Sequence, residues 1–516
     1  MRQSDLPNIL RSRKSLAGFL AALLAGALAA TMAVAITSSP GPGLDPDSAS
    51  YLGAAESLAK SDGYRIPIAD WLTRDSTSAL AHFPPGYPTA IALMLRAGLP
   101  PMSAARAVNA AAVFVGIALT LWLVASVSGL TAGIAVTLAL FAMPAFVEQH
   151  LSVLSEPLFL ACIIGALGAM MSASRQSEER EVLKCAVIAG IAAALAMLTR
   201  YAGAAIVGAV ALWMLWRPGA PVARLRRAVA SALPAIALVG WWLIHLHLTS
   251  GARDIRTLNA YGGFLETVRM GIDTIVAWMV PLMSDQTLPG REWLALIAIV
   301  ALVGITVSGY RTSADSLAKR TIGATITIAS CYVVVLVASR LLADPGIPFD
   351  NRLLAPLFLL TAIIAAIGIR EWWRQHRLPA RVACGALLMT WFAASATVTQ
   401  DEVSWALENG QDFAQDQWSK SPLLAWAQSN APSRPLYTNW PAAVFFYLHR
   451  TSHEMPRDGT AELLRAFADT VRARNGVVIV FDQPSPDQIG AEALQAASGL
   501  RQTARVADGS VFTALP

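Results

Sequence analysis

The chain has 516 residues, 55% of them hydrophobic and only 14% charged, with a formal net charge of +5. Soluble domains carry about 25% charged residues, so this composition excludes an ordinary soluble protein and implies a polytopic membrane one. The basic excess does not mark a nucleic-acid binder, because Lys and Arg stand in short runs between apolar stretches. The four cysteines (Cys162, Cys185, Cys331 and Cys384) lie in or beside such stretches and lack metal or disulfide spacing.

The first apolar stretch runs uncharged from Ser15 to Thr37, behind the basic Arg11-Ser-Arg-Lys14. A cleaved signal peptide has this form. Roughly 20 apolar residues also cross a bilayer, and many similar stretches follow, so a retained span is preferred. Eleven uncharged runs are candidate spans: approximately 16–36, 107–125, 131–147, 157–174, 185–199, 201–216, 228–248, 293–310, 321–339, 353–369 and 382–400. Ser126-Val-Ser-Gly129 divides the stretch from 107 to 147 into a hairpin.

With the N-terminus inside, the inner segments hold eighteen Lys and Arg in about 63 residues, and the outer loops hold twelve in about 137. That density ratio of about three fits the positive-inside rule. An odd number of spans then places residues 401–516 outside. The chain divides into a transmembrane domain, 1–400, with a long outer loop at 37–106, and a soluble outer domain at 401–516. Within the first loop, Pro84–Leu99 is apolar but short, and reads as interfacial or re-entrant. Residues 249–292 form a second outer region. In the tail, Pro435-Leu-Tyr-Thr-Asn439 and Gly476–Phe481 read as buried strands, and 459–474 and 487–498 as helices. The tail is therefore expected to be a small separate α/β unit.

Candidate chemistry gathers at the outer ends of spans. The first loop opens Asp45-Pro-Asp47-Ser48-Ala-Ser-Tyr51. Locally, Asp47 or Ser48 is an N-cap for the helix that follows. Chemically, it is a carboxylate at the membrane surface. His82-Phe-Pro-Pro-Gly-Tyr-Pro88 is a stiff turn able to aim one polar side chain. Glu156 precedes Pro157 at the mouth of a span, where an acid either caps the helix or is costly unless paired or wet. Arg200 is the one charge between Cys185 and Trp216, and either snorkels to the interface or meets a phosphate. Arg352 sits at the start of the tenth span. A carboxylate can take a proton from an acceptor hydroxyl while Arg neutralises a phosphate leaving group.

These pieces together resemble the GT-C membrane glycosyltransferases, in particular the group of protein O-mannosyltransferases and the lipid A aminoarabinose transferase. The matching residues are D-x-x-x-Y at Asp47–Tyr51, P-P-G at Pro84–Gly86, acid-Pro at Glu156-Pro157, the single basic connection at Arg200, and R-[YL]-x-x-P at Arg352–Pro356, in family order over 45–356. The resemblance implies an all-α polytopic GT-C domain with a long first periplasmic loop and a small C-terminal periplasmic α/β domain. It implies a multi-pass protein of the bacterial inner membrane that moves a sugar from a polyprenyl-phosphate donor to a lipid, glycan or protein acceptor, with inversion. Asp47 corresponds to the catalytic base, with Asp45 close by as a substitute. Tyr51, His82, Glu156, Arg200 and Arg352 fall at substrate- and phosphate-binding positions. No cofactor is certain; a divalent cation, magnesium or manganese, held by Glu156 and Asp47 stays open. The first motif has Asp47-Ser48 where the mannosyltransferases have paired acids, and His82 stands where the aminoarabinose enzymes have Glu-Lys. These departures bear on donor and acceptor identity. A polytopic transporter or flippase, a noncatalytic assembly subunit, and an oligosaccharide ligase of envelope glycan assembly are the other readings.

The topology is testable. A reporter that fluoresces only in the cytoplasm is expected to be bright when fused after residue 220 and dark when fused after residue 400.

Overall fold

The computed structural model describes residues 13–250, 259–283, 286–457, 459–483, 488–497 and 499–514. Arg11 of the basic N-terminal run lies outside the described residues, as do 251–258 of the second outer region. The apolar runs fold as helices because a lipid-facing backbone must satisfy its hydrogen bonds within its own segment.

Helix α1 (Arg13–Ile36) is followed by the first loop. The loop holds α2 (Pro46–Ala59), strands β1 (Arg65–Ile66), β2 (Ile68–Asp70) and β3 (Ser78–Ala79), and α3 (Gly86–Arg96). Helix α3 has 11 residues, too few to cross, as expected for 84–99. Helix α4 (Pro101–Ser128) reverses at Gly129, whose φ of 93° is open to glycine, into α5 (Leu130–Ala142) and α6 (Pro144–Val147). There follow α7 (Glu156–Arg175), α8 (Glu179–Thr199), α9 (Ala204–Trp216), α10 (Pro221–Ser250), α11 (Phe264–Met279), α12 (Arg291–Thr312), α13 (Ser316–Leu342), α14 (Asn351–Gln375) and α15 (Leu378–Asn409).

Among the described residues nine helices are long and apolar enough to cross a membrane, or ten if the pair bent by 84° at Met143 counts as one span. The expected eleven is therefore not reached by length and composition. Two expected spans account for the difference. The run 131–147 breaks where Pro144 removes a backbone donor, and 201–216 is a short helix. The short helix still runs between the two ends of α7. Arg200, just before it, pairs with Glu156 at the start of α7, and Arg217, just after it, donates to the carbonyls of Ala173 and Gln176 at 2.5 and 2.6 Å. Small residues let the helices meet closely. A Cβ added to Gly190 of α8 would lie 2.1 Å from the Ser231 carbonyl oxygen of α10.

Beyond α15 come α16 (Asp416–Ser419), α17 (Pro422–Asn430), β4 (Leu436–Thr438), α18 (Pro441–Leu448), β5 (Ser452–Glu454), α19 (Ala461–Ala473), β6 (Val477–Phe481), α20 (Ala491–Ala497), β7 (Leu500–Val506) and β8 (Gly509–Ala514). The strands expected at 435–439 and 476–481 are β4 and β6, and the two expected helices are α19 and α20. Strands β4 and β6 lie at the centre of a six-stranded sheet of order β2-β5-β4-β6-β8-β7.

Strand β2 belongs to the first loop, and it alters the expected division at residue 400. It pairs in parallel with β5, Ile68 opposite Ser452 and Asp70 opposite Glu454. Arg474 donates to the Leu72 carbonyl at 3.0 Å, and Trp71 meets Phe467 edge-on with ring centroids 5.6 Å apart. One apolar core joins Tyr51, Leu52, Tyr87 and Ile91 to Phe413, Leu423, Val444 and Ile479. Helix α15 itself continues past 400 to Asn409. The tail is an α/β unit, but one completed by the first loop. Residues 405–516 expressed alone lack an edge strand and much of this core. They are expected to give an unfolded or aggregating product by circular dichroism and limited proteolysis.

Candidate functional site

The first loop turns sharply before α2. Asp45 has extended backbone (φ −66°, ψ 157°), and its carboxylate accepts from the Asp47 amide at 2.9 Å, so Asp45 is the N-cap. Ser48 donates instead to the Val153 carbonyl at 2.9 Å. The two residues read locally as caps, Asp47 and Ser48, are thus both freed from capping. Pro46 at N1 has no amide to satisfy.

The segment leading into Asp45 is held from both sides. The Gly43 amide donates to the Leu151 carbonyl and the Val153 amide to the Gly43 carbonyl, each at 2.9 Å, and the Phe413 amide donates to the Leu44 carbonyl at 3.1 Å. A side chain at Gly43 would place Cβ 2.3 Å from Ser152 Oγ and 2.9 Å from Gln411 Oε1. The residues before Asp45, before Glu156 and after α15 therefore lie in one short parallel arrangement.

Glu156 is the first residue of α7 and is 2% exposed. It pairs with Arg200 and with Nε of Arg352. Arg200 occupies the extended break after α8 and also donates to Ser155 Oγ at 3.3 Å. Arg352 is the second residue of α14, whose cap is Asp350, accepting from the Leu353 amide at 2.9 Å. Arg352 spreads over three acids: Glu156 through Nε, Asp47 through Nη2 at 2.5 Å, and Asp45 through Nη1 at 3.4 Å. Asp45, Asp47, Glu156, Arg200 and Arg352, separated by up to 307 positions in the chain, form one ionic cluster. Tyr51, one turn beyond Asp47 and fully buried, has its hydroxyl 3.3 Å from Ser155 Oγ.

His82 is exposed and packs beside the aromatic rings that border the cluster. Its ring centroid lies 4.9 Å from that of Phe83, which lies 4.9 Å from that of Tyr51. Three residues not singled out from the sequence belong to the site. Ser155 links Tyr51, Arg200 and Glu156, and its position beside Glu156 was the available signal. Tyr332 donates to the Leu353 carbonyl at 3.0 Å and braces the start of α14. Asp412 is bridged through its backbone to Leu44.

Three carboxylates face two guanidinium groups. Burial, then the like charge of Asp47, push the Asp45 carboxyl up to about 6 against the opposing pull of Arg352. Burial likewise raises the Asp412 carboxyl, again opposed by Arg352. Burial and the Asp47 charge raise the Tyr51 hydroxyl, so it stays protonated as a donor. For a cation, the acids present are Asp45, Asp47 and Glu156, but each is already bound to Arg352, and no group of three or more potential ligands suited to a metal is found among the described residues. What the cluster offers is a carboxylate at the water-accessible edge beside two fork-shaped cations.

No family model and no curated protein matches the sequence. Solved structures do. The chain is similar over 97% of its length to ArnT from Cupriavidus metallidurans bound to undecaprenyl phosphate, covering 99% of that chain at TM-score 0.58 and 14% identity. It is similar over 91% of its length to the archaeal oligosaccharyltransferase AglB from Archaeoglobus fulgidus in complex with an inhibitory peptide and a dolichol-phosphate, covering 70% of that chain at TM-score 0.55 and 14% identity. The apo form of the Archaeoglobus fulgidus oligosaccharyltransferase matches 90% of this chain and 69% of its own at TM-score 0.55 and 13% identity. The GT-C fold expected from the motifs is the fold of this chain.

The raised Asp45 carboxyl has a sign. Its folded value of about 6 exceeds the unfolded value of about 3.9, so its contribution to stability is complete below about pH 4 and is lost as pH rises through about 6. Asp45→Asn keeps a capping oxygen and cannot ionise. Its melting temperature relative to wild type is expected to rise from pH 4 to pH 8 in a thermal unfolding series.

Proposed function

We propose that this chain is a membrane glycosyltransferase that moves a sugar from a polyprenyl-phosphate donor to an acceptor hydroxyl. The reaction runs on the face where α1 ends and α7 and α14 begin, the non-cytoplasmic face of a bacterial inner membrane. The observation that carries this reading is the convergence of Asp47, Glu156, Arg200 and Arg352 at helix ends of a fold shared with structures solved with undecaprenyl phosphate and dolichol phosphate.

In this mechanism the donor phosphate lies against Arg200 and Arg352. The acceptor oxygen attacks the anomeric carbon opposite the phosphate, which inverts the centre. The carbon–oxygen bond to phosphate breaks with its electron pair, and the leaving phosphate is neutralised by the guanidinium groups. The acceptor proton passes to the Asp47 carboxylate. Glu156 holds both arginines in place. Tyr51 positions Ser155, and His82 lies where an acceptor would enter. Asp45 acts through the helix it caps.

The transporter reading is weaker on a specific ground. Transporters hold substrate near the bilayer midplane, often at interrupted helices. Here the paired charges stand at helix ends, and the interrupted α5–α6 pair contributes none of them. The likeness to an oligosaccharyltransferase favours a second reading, in which an oligosaccharide is transferred, and donors of different length separate the two. We assign the positive charge beside the acids to Arg352 in place of magnesium or manganese, because its guanidinium already binds all three carboxylates.

The test is transfer from a polyprenyl-phosphate sugar in membranes holding equal amounts of each variant. Asp47→Asn is expected to express normally and lose about 10²–10⁴-fold in rate, the usual contribution of a positioned base. Asp45→Asn is expected to lose far less, and a chelator to leave wild-type transfer unchanged. Near-normal transfer by Asp47→Asn would remove it as the base.

A further inference from the structure

We propose that Arg352 exchanges partners during the reaction: the donor phosphate takes the guanidinium from Asp47, so that the base is released only once the donor is seated. This rests on the lipid-phosphate reading above and adds an order of events to it.

The argument starts from the number of hydrogen-bond directions. A guanidinium presents five N–H groups in a rigid planar fork. In Arg352 all three nitrogens end on carboxylates: Nε on Glu156, Nη2 on Asp47 at 2.5 Å and Nη1 on Asp45 at 3.4 Å. Each of its nitrogens is thus already directed at a carboxylate oxygen, and a phosphate brought onto the same fork adds a fourth anion beside three, which favours the departure of one carboxylate.

The three acids differ in how firmly they are held. Glu156 is 2% exposed and also carries Arg200, so moving it would strand a second cation in a buried place. Asp45 is fixed as the cap of α2 through the Asp47 amide at 2.9 Å. The Asp47 carboxylate is held in the cluster by Arg352, with 28% of its side chain exposed against 3% for Glu156. Asp47 is therefore the acid that can leave. It is also the acid placed to take the acceptor's proton. Bound to Arg352, its Oδ2 is already taken by the hydrogen bond from Nη2. An acceptor that binds first meets an occupied carboxylate.

A binding experiment tests this with a result that a merely catalytic Asp47 would not give. Polyprenyl phosphate binding is measured on the full-length protein in lipid nanodiscs for wild type, Asp47→Asn, Arg352→Lys and the double variant. Because phosphate no longer competes with a charged partner for Arg352, Asp47→Asn is expected to bind roughly tenfold tighter than wild type while transferring almost nothing. The gain should vanish on the Arg352→Lys background, giving a large coupling between the two positions. Should Asp47→Asn melt below wild type, Asp47→Ser replaces it in the same cycle. Equal or weaker binding by the Asp47 variants overturns the exchange. A gain that survives Arg352→Lys overturns the assignment to that arginine. Failure of wild type and every variant to bind the lipid phosphate overturns the lipid-phosphate reading itself.

Discussion

Two arginines share one buried glutamate, and the rest of the site depends on that sharing. Glu156 stands at the start of a membrane helix, almost out of reach of water, and an unpaired acid there would cost several kcal/mol. It is stable because Arg200 arrives from the end of α8 and Arg352 from the start of α14. Each arginine is in turn confined by the bond to Glu156, so three helix ends are brought to one point. Arg352 then reaches across to Asp47 and Asp45 and ties the first loop to the same point. Removing Glu156 would leave two cations crowded together, which is why it is better understood as the organiser of the cluster than as a reacting group.

The surrounding fold supplies rigidity to a region that would otherwise be loop. Residues 43–44 run between 151–153 and 411–413, where glycine at 43 alone admits the close approach of Ser152 and Gln411. The C-terminal sheet takes an edge strand from the first loop and shares its apolar core with α2 and α3. The acids of the first loop are therefore fixed on one side by the membrane helices and on the other by the tail. On the reading proposed above, that arrangement suits a reaction between a lipid-anchored donor and an acceptor from the aqueous side, because it supplies a preorganised polar surface.

Capping and chemistry also turn out to be divided between neighbours. Asp45 caps α2 and Asp350 caps α14, while Asp47 and Arg352, a step or two farther along each helix, carry their side chains into the cluster. An acid at the start of a helix is favoured by the helix dipole whether or not it caps, so both acids of the pair are tolerated near the N-terminus of α2. The Asp45-Pro-Asp47 spacing lets one acid hold the backbone and leaves the other available.

The sequence by itself determined the membrane class, most of the spans, and two strands and two helices of the tail. Each depends on composition or local period, which a chain displays residue by residue. It also singled out Asp45, Asp47, Glu156, Arg200 and Arg352, since charges at the ends of apolar runs are costly enough to stand out. Only the tertiary structure decided that these five meet, because nothing local records an approach between residues 45 and 352. The same holds for β2: a three-residue strand has too little pattern to announce a partner near residue 453. Span number fell between the two levels. Among the described residues, length and apolarity identify nine helices, whereas the broken pair at Met143 and the short α9 take their course from the helices they pack against. Which acid caps and which one faces the arginines was likewise a tertiary outcome. It follows from the Val153 carbonyl taking the Ser48 hydroxyl and from Arg352 taking the Asp47 carboxylate.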